Sequence, residues 1–254
     1  MDYMEVDYNA QAEKWHRDRP KHHSDFCGRP EVFKIFEEIG KGKVVLDAGC
    51  GEGYFSRKMA TLAEKVIGVD QSKEMIKLAR QRQKSGGIGN IAYHVGDVKN
   101  MLFIPDSSID VCVGNYVTNY MHPDELPVFY AEVARVLKPK EKFIFLMPHP
   151  IFELMDDYGE AIQHEGKENF HYRQSRGEFF PAKLKTVDGE TFEVGVCHAT
   201  VDDHFKGLSS AGLVVTKSIE PVFPAEIAEQ YPVFKDMAGK IACMILYGDN
   251  QGLP

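Results

Sequence analysis

The sequence predicts an α/β fold built on a parallel sheet. Two short apolar runs, residues 44–47 and 65–70, each end in an aspartate, and a helical pattern follows each run. Such runs are typical of parallel strands, because helices cover both faces of a parallel sheet. After the first run the glycines alternate, at Gly49, Gly51 and Gly53, and glycine lets the backbone approach a ligand where a Cβ would collide. We therefore expect a ligand-binding turn at the carboxyl end of the first strand.

The glycine spacing separates two classes of ligand. A dinucleotide-binding turn has the pattern Gly-x-Gly-x-x-Gly, with the pyrophosphate at a helix N-terminus. Counted from Gly49, the position of the third glycine holds Tyr54. Asp47, just before the turn, would repel a pyrophosphate and suits a cationic, amine-bearing ligand. The spacing therefore disfavours a nicotinamide dinucleotide.

Further polar residues follow the next strands of the predicted sheet. Asp70 ends the second strand, where an acid is placed to accept hydrogen bonds from both hydroxyls of a ribose. Asp97 lies in the turn after the third strand, and Asn115 and Tyr116 follow the fourth. Open α/β sheets bind their ligands at the carboxyl ends of their strands. We expect the carboxylates of Asp47, Asp70 and Asp97 along one rim.

The other elements follow from periodicity and turn residues. Residues 29–39 have apolar side chains at helical spacing between Pro30 and Gly40, and Ser72 is a suitable N-cap for a helix over 72–82. The remaining predicted elements are strands over 91–95 and 109–114, a helix ending at Leu137, a fifth strand over 142–147, a helix over 201–211, and strands over 213–219 and 241–247.

At these motifs the sequence resembles the class I S-adenosylmethionine-dependent methyltransferases, in particular the small-molecule group similar to the quinone-biosynthesis methyltransferases, with a type 11/25 methyltransferase domain. The matching segments occur in the order VVLDAGCGEG at 44–53, VIGVDQS at 66–72, GDV at 96–98 and IDVCVGNYV at 109–117. The resemblance covers roughly residues 8–147, and the last two strands more loosely. It implies a Rossmann-like, seven-stranded, mostly parallel sheet with helices on both faces, an antiparallel last strand and an inserted cap after the fifth strand.

The resemblance also implies S-adenosyl-L-methionine as cofactor and S-adenosyl-L-homocysteine as product. In the family, the position of Asp97 accepts the exocyclic amine of adenine while the next backbone N–H, that of Val98, serves a ring nitrogen. An N-terminal arm with a similar tyrosine pattern folds over the cofactor, although this arm also fits a surface helix docked by its aromatic residues. The expected cofactor-binding residues are Tyr8, Trp15, Arg19, Asp47, Ala48, Gly49, Cys50, Gly51, Gly53, Tyr54, Asp70, Gln71, Met75, Asp97, Val98, Asn115 and Tyr116.

The pattern changes after the fifth predicted strand, where Pro148, His149 and Pro150 interrupt the sheet and residues 151–200 are rich in aromatic, glycine and charged residues. We interpret this segment as an insertion that forms a roof over the substrate side of the sheet and decides substrate specificity. The chain then divides into an arm (1–28), a cofactor-binding core (29–147), a substrate cap (148–200) and the C-terminal part of the sheet (201–254).

A β-hairpin is predicted inside the insertion around residues 187–190. A two-residue Asp-Gly turn requires one register of the two strands. The apolar alternation of Leu184, Phe192, Val194 and Val196 requires another, and both registers stay open at this point.

Composition limits the partners. The chain has 254 residues, with 30 lysines and arginines against 38 aspartates and glutamates, a formal charge of −8. This balance disfavours a nucleic-acid surface and favours a small-molecule substrate. The five cysteines are odd in number and scattered, which indicates buried free thiols in a reducing cytosol. With no recognisable signal peptide and no apolar run near the ~20 residues that cross a bilayer, we expect a cytoplasmic protein, without membrane contact, that is a monomer or homodimer.

The proposed chemistry is direct displacement of a methyl group from a sulfonium, with a general base where the acceptor has a proton to lose. His149 and His198, at the two edges of the insertion, are the first candidates for this base, followed by His122 and Tyr116. The alternatives are histidines that bond backbone in the roof, and a His122 that only starts a helix. No metal is expected, and the cluster of His16, His22 and His23 is interpreted as solvated.

Three functions remain open from the sequence. The first is a methyltransferase acting on an O, N or C atom of a small molecule. The second is a nicotinamide-dependent oxidoreductase, and the third is a non-catalytic protein that binds S-adenosylmethionine.

Overall fold

A computed structural model describes residues 6–15 and 17–252. Its main sheet has seven strands in the order β3-β2-β1-β4-β5-β10-β9. In chain order these strands are β1 (Val44–Ala48), β2 (Lys65–Asp70), β3 (Ile91–Val95), β4 (Ile109–Asn115), β5 (Leu137–Pro148), β9 (Leu213–Ile219) and β10 (Cys243–Asn250). Neighbouring strands from β3 to β5 are parallel, whereas β10 is antiparallel to both β5 and β9. The predicted seven-stranded, mostly parallel sheet with an antiparallel last strand is confirmed.

Helices cover both faces of this sheet. In chain order they are α1 (Tyr8–Gln11), α2 (His23–Phe26), α3 (Gly28–Ile39), α4 (Tyr54–Met59), α5 (Lys73–Ser85), α6 (Leu126–Val136), α7 (Phe152–Met155), α8 (Val201–Ser210) and α9 (Ala225–Gln230). Short 3-10 helices lie at Ala12–Trp15, Thr118–Tyr120, Lys167–Asn169 and Pro232–Met237. Side chains alternate across the sheet, so that Val45 packs in the same core cluster as α3, α4 and α5, and Leu46 in the same cluster as α6 and α8.

Local sequence explains where several of these elements begin. Ser72 caps α5 by accepting a hydrogen bond from the backbone N–H of Met75, as the sequence predicts. Thr200 and Asp203 form a reciprocal capping box at the start of α8. β5 begins five residues before the predicted position, because Leu137 already pairs with Ile109; after an irregularity in the register, the pairing resumes between Lys142 and Val111.

A second, antiparallel sheet lies between β5 and α8 in the sequence. Its strands are β6 (Ile162–His164), β7 (Phe179–Lys185) and β8 (Thr191–Cys197), in the order β6-β7-β8. β7 and β8 form the predicted hairpin, in the register that pairs Leu184 with Phe192.

A three-residue loop resolves the two registers left open by the sequence. The N–H of Thr186 bonds to the carbonyl of Glu190, and Gly189 adopts a φ of 81°. The third loop residue therefore takes the left-handed conformation that glycine tolerates. The apolar alternation decides the register, because it buries Leu184 and Phe192 on one face.

The N-terminal arm, residues 6–26, connects the two sheets. The side chain of Asn9 accepts a hydrogen bond from Ser72 Oγ at 2.8 Å, at the start of α5. The side-chain amide of Gln11 pairs with the backbone of Glu193 on β8, through bonds of 3.0 and 3.2 Å. The arm therefore spans the gap between the core and the second sheet.

All five cysteines are buried and free, as the sequence predicts. In the part of the chain that the structure describes, no helix is both long and apolar enough to span a bilayer.

Candidate active site

A cavity of about 880 Å³ lies at the carboxyl ends of β1, β2 and β4. Its walls come from the turns after these strands, from the arm and from the second sheet. Asp47, Asp70 and Asp97 all line it, so the three predicted rim carboxylates share one cavity. Ligand pockets are typically about 300–1,000 Å³, so this cavity is large by that measure.

The carboxylate of Asp70 is fixed by two backbone N–H groups, one in the turn after β1 and one in the turn after β2. One carboxylate oxygen accepts the N–H of Gly51 at 2.8 Å, and the other accepts the N–H of Ser72 at 2.9 Å. Burial raises the pKa of Asp70, while these two backbone donors oppose the rise. Because an ionised carboxylate accepts about four hydrogen bonds, each oxygen keeps acceptor capacity for a ligand.

Asp47 is held differently from Asp70. It is 1% exposed and accepts a hydrogen bond from Ser56 Oγ on α4. Burial raises the pKa of Asp47 to about 7, the Ser56 hydrogen bond opposes this, and the nearby Asp70 adds to it. Asp47 therefore joins β1 to α4 as well as lining the cavity.

The three alternating glycines are needed in the turn for different structural reasons. Gly49, Gly51 and Gly53 all have positive φ, at 71°, 53° and 78°. A Cβ on Gly51 would meet no atom within 4 Å, whereas one on Gly53 would lie 2.2 Å from the hydroxyl of Tyr93. Gly51 leaves open space in the turn, and Gly53 allows α4 to pack against β3.

Most of the predicted cofactor-binding residues line the cavity, and three do not. Ala48 is fully buried in the sheet, and Gly53 packs on Tyr93. Arg19 is the third, with its side chain 59% exposed and paired with Asp188 in the hairpin loop. The predicted residues that line the cavity are Tyr8, Trp15, Asp47, Gly49, Cys50, Gly51, Tyr54, Asp70, Gln71, Met75, Asp97, Val98, Asn115 and Tyr116.

Arg17, which the sequence reasoning passed over, occupies the cavity in place of Arg19. Its buried guanidinium lies 3.5 Å from Asp25 and 3.6 Å from Glu52, with its carbon 4.5 Å from the centre of the Tyr54 ring. Burial lowers the pKa of Arg17, and the two acids oppose the decrease. Its Nε and Nη1 atoms are buried and make no hydrogen bond.

One feature of the sequence pointed to a buried arginine. Glu52 lies inside the glycine-rich turn, and a glutamate is rarely buried unless it is paired. In the structure Glu52 is bound by Arg57 at 2.9 Å and approached by Arg17. The turn therefore requires cations on both sides.

The histidines of the arm are buried, which corrects the solvated cluster expected from the sequence. His22 stacks on Trp15, with ring centres 5.0 Å apart, and His23 faces the edge of the Tyr116 ring at 6.5 Å. Burial lowers the pKa of His23 to about 4, so its imidazole is neutral at pH 7. His16, the third member, lies outside the described residues.

His149 and His198 lie together, but outside the large cavity. They line a separate small cavity with His204. His149 Nδ1 accepts the N–H groups of Ile151 and Phe152, both at 3.2 Å, and its Nε2 lies 3.1 Å from Glu220. His149 thus caps the segment that leads into α7.

His198 also has a backbone partner, because its Nε2 lies 2.7 Å from the carbonyl oxygen of Tyr172. The two first candidates for the general base therefore lie at a separate small cavity and not in the wall of the large one. The alternative reading, in which both histidines bond their surroundings in the roof, describes them correctly.

The other two catalytic candidates line the large cavity. Tyr116 follows β4 with a φ of 57°, and its buried hydroxyl has no hydrogen-bond partner. Asn115, beside it, has both side-chain polar atoms buried and unpartnered. His122 accepts the N–H of Asp124 at 3.3 Å near the start of α6.

The insertion adds two polar residues that the sequence reasoning missed. Glu153 on α7 and His164 at the end of β6 line the large cavity, and their side chains meet at 3.3 Å. Asn119, also in the cavity wall, donates to the carbonyl of Gly195 on β8 and leaves its own oxygen unpartnered. These residues are eleven or more positions apart in the sequence, so no local spacing indicated the pair.

Comparison with known proteins identifies the fold and the kind of domain that the core contains. Residues 45–140 match the family model described as a methyltransferase domain. The chain contains a class I S-adenosylmethionine-dependent methyltransferase domain.

The curated relatives of this methyltransferase domain match only part of their length. A malonyl-[acyl-carrier protein] O-methyltransferase of Serratia marcescens is 35% identical over 104 residues, which cover 41% of this chain and 38% of the relative. An arsenite methyltransferase of Halobacterium salinarum is 33% identical over 116 residues, covering 44% and 28%. The chain therefore spans less than half the length of these relatives.

Solved structures resemble this chain over most of its length. A putative S-adenosylmethionine-dependent methyltransferase from Listeria monocytogenes has a TM-score of 0.65 and 22% identity, covering 88% of this chain and 97% of that one. A geranyl diphosphate C-methyltransferase from Streptomyces coelicolor, solved with Mg²⁺, geranyl diphosphate and S-adenosyl-L-homocysteine, has a TM-score of 0.60 and 13% identity, covering 87% and 77%. At these identities the likeness establishes the shared fold.

The polar atoms of the methyltransferase cavity fit a polar ligand. A buried polar atom without a partner costs about 1–3 kcal/mol, so such atoms are rare unless a ligand satisfies them. Here they cluster on the cavity wall, at Tyr8, Trp15, Arg17, Asn115 and Tyr116.

Proposed function

We propose that this chain transfers the methyl group of S-adenosylmethionine to an O, N or C atom of a small molecule. One observation supports this most strongly: a single cavity contains both the rim carboxylates and a second group of polar residues from the insertion. Asp70 and Asp97 suit a nucleoside. Glu153 and His164 lie on a different part of the chain and are available to a second ligand.

The cofactor is assigned to the rim and the arm. Asp70 would accept the ribose hydroxyls, while Asp97 and the N–H of Val98 would serve the adenine. Arg17, rather than Arg19, would hold the carboxylate of the methionine part, because its unpartnered nitrogens line the cavity. Tyr8 and Trp15 would cover the cofactor from the arm.

The chain's own contribution to such a reaction is alignment and exclusion of water. Helix α1 of the arm is held on two sides, because Asn9 binds Ser72 on the core and Gln11 binds Glu193 on the second sheet. The arm therefore encloses the space in which an acceptor would meet the activated methyl group. We assign substrate specificity to residues 148–200, which contribute Glu153, Ile162 and His164 to the wall.

The acceptor is not carried over from the relatives. Their names specify a malonyl-[acyl-carrier protein], arsenite and geranyl diphosphate, which have different reacting groups. We propose a small-molecule substrate and no nucleic-acid partner, because the formal charge is −8. Five free thiols favour the cytoplasm, and we expect a monomer or homodimer.

The first test is cofactor affinity in the Asp70→Asn variant. The amide presents an N–H₂ group where the carboxylate accepts two backbone donors, and hydrogen bonds to charged groups are worth about 1.5–3 kcal/mol. We expect the Kd of S-adenosylhomocysteine to rise about 10- to 100-fold in calorimetry. The matched control is Asp110→Asn, because Asp110 binds the N–H of Val44 and Lys138 and does not line the cavity.

The second test is turnover. The full chain is incubated with S-adenosylmethionine labelled in the methyl group and a mixture of metabolites, and labelled products are separated. Transfer to an acceptor supports catalysis. Tight binding of the cofactor without transfer to any acceptor would instead support the non-catalytic binding protein.

A further inference from the structure

Four of the polar residues that line the large cavity have no part in the cofactor assignment above. They are Glu153 on α7, His164 on β6, His23 on α2, and Tyr116 after β4. All four are buried or nearly so. We call this group the acceptor cluster.

His164 and Glu153 form a pair within the acceptor cluster. His164 Nε2 lies 3.3 Å from Glu153 Oε1, and the two side chains are 3% and 11% exposed. A histidine held by a buried carboxylate is suited to general-base catalysis, because the carboxylate orients the ring and stabilises the imidazolium formed when it takes a proton. His149, His198 and His204 line the separate small cavity and not the large one.

The other two members have unpartnered polar atoms. The Tyr116 hydroxyl and His23 Nδ1 are buried without hydrogen bonds, and the two rings lie 6.5 Å apart. An acceptor that brings its own polar group would satisfy them. Around them the wall is apolar, with Ile162, Phe179, Leu184, Val194 and Val196.

We propose that His164, held by Glu153, is the general base of this enzyme, and that the acceptor is a hydroxyl on an aromatic or similarly flat apolar body. This inference rests on the proposed methyl transfer. A carboxylate is already ionised at neutral pH and needs no base, whereas a phenol with a pKa near 10 does. The apolar wall suits the ring, and Tyr116 and His23 suit the hydroxyl.

The methyl transfer is a single displacement at carbon. The acceptor oxygen attacks the methyl carbon, and the bond between that carbon and sulfur breaks, with its electron pair going to sulfur. The proton of the hydroxyl passes to His164, which becomes an imidazolium beside the Glu153 carboxylate. The proton then leaves to solvent when the products depart.

The surroundings of the pair contain other charges. His23 and Asp25 belong to α2, and Arg29 belongs to α3, where its guanidinium lies over the Tyr116 ring. The charge of Arg29 is offset by Asp25, at 3.3 Å. His164 therefore faces Glu153 of α7 at 3.3 Å and interacts electrostatically with His23 of α2.

The test uses para-nitrophenol, whose absorbance reports its ionisation. It is added to the full chain saturated with S-adenosylhomocysteine, at a pH below its own pKa in water. We expect the bound probe to be a phenolate in the wild type. In His164→Gln and Glu153→Gln we expect the ratio of phenolate to phenol in the bound probe to fall about tenfold, which corresponds to a shift of about one unit in its pKa.

Matched controls separate this effect from general damage. His204→Gln removes a buried histidine that pairs with Tyr130, and Glu132→Gln removes a carboxylate that pairs with Arg135. Neither residue lines the large cavity. Both controls should keep the wild-type spectrum, and all four variants should bind S-adenosylhomocysteine within about threefold of the wild type, which calorimetry measures separately.

Three outcomes overturn the inference. They are a probe that does not bind the complex, a phenolate signal unchanged in both cavity variants, and preferential binding of para-nitrobenzoate or para-nitroaniline over the phenol. Failure of S-adenosylhomocysteine to bind the wild type is a different result, because it contradicts the proposed function itself.

Discussion

Asp47 and Asp70 both end a buried strand, yet their surroundings give them different roles. Asp70 accepts two backbone N–H groups and retains acceptor capacity at the rim. Asp47 lies deeper, against Ser56, and burial raises its pKa to about 7. Burial in this position favours the protonated form of Asp47, so its carboxyl titrates near neutral pH.

Asp47→Asn should change the pH dependence of stability. The folded-state pKa of Asp47, about 7, lies above its unfolded value near 4, so the wild type loses stability as the pH rises through this range. The amide resembles the protonated acid and does not titrate. We expect the variant to gain about 2 kcal/mol relative to the wild type between pH 5 and pH 8.

Urea unfolding of the cofactor-free protein at several pH values measures this difference. Comparing the variant with the wild type at each pH removes the contribution of the other titrating groups. A difference in unfolding free energy that stays constant with pH would show that Asp47 is ionised in the folded protein throughout this range.

Arg17 and Arg19 provide a second contrast between neighbouring residues. Arg17→Gln should lower the free energy of unfolding by about 3 kcal/mol, because it leaves the buried Asp25 and Glu52 without that cation. It should also weaken S-adenosylhomocysteine binding about tenfold. Arg19→Gln removes an exposed pair with Asp188 and should cost less than about 1 kcal/mol.

Urea titration and calorimetry on the two variants check both effects. Equal affinities in Arg17→Gln and Arg19→Gln would remove Arg17 from the cofactor site, even if the stabilities differ. A larger loss of unfolding free energy in Arg19→Gln than in Arg17→Gln would contradict the burial described for the two side chains.

At the scale of elements, the arm depends on contacts with the second sheet. Trp15 packs on Phe192 of β8 with ring centres 4.9 Å apart, and His22 meets the same ring at 5.1 Å. On the core side, Asn9 binds the start of α5. Because α1 has only four residues, its helical structure depends on these tertiary contacts.

Phe192→Ala should loosen the arm. Phe192 is fully buried, and removing such a ring typically costs about 3–5 kcal/mol. We expect the backbone amides of α1 and of the adjoining 3-10 helix to exchange hydrogen at least about tenfold faster, as measured by mass spectrometry. Phe103→Ala, at a ring that is 46% exposed, is the control. Unchanged exchange in the arm would show that the contacts with α5 hold it alone.

At the scale of the whole molecule, three parts of the chain enclose one cavity. The main sheet contributes the rim, the arm contributes Tyr8 and Trp15, and the second sheet contributes the apolar wall. A ligand in this space would contact all three parts at once. Its binding free energy would then add to the stability of the fold as a whole.

S-adenosylhomocysteine at a hundredfold excess over its Kd should stabilise the fold by about 2.7 kcal/mol. For a chain of this size that corresponds to a rise in Tm of about 5–10 °C. NAD should change the Tm by less than about 1 °C, because the turn lacks the third glycine of a dinucleotide site and has Asp47 in front of it. A larger shift with NAD would favour the oxidoreductase instead.

The sequence predicts the rim of the cavity better than it predicts the rest of the cavity wall. Strand ends and glycine turns are local, so the positions of Asp70 and Asp97 follow from short runs of residues. Arg17 was missed because its burial depends on Asp25, which lies on the next helix, and on Glu52, which is distant in sequence. His149 and His198 were misplaced because their partners, Glu220 and the carbonyl of Tyr172, become visible only in the folded chain.

The sequence by itself determined the order of strands and helices and the turn after β1, because each depends on periodicity and on residues a few positions apart, whereas the class of cofactor was implied by the resemblance of its motifs to a known family. Only the tertiary structure decided which arginine and which histidines face the cavity, and which register the β7–β8 hairpin adopts. These outcomes depend on burial, and burial is set by packing between segments that the sequence separates: Glu153 and His164 meet because α7 and β6 both fold over the carboxyl ends of the main sheet.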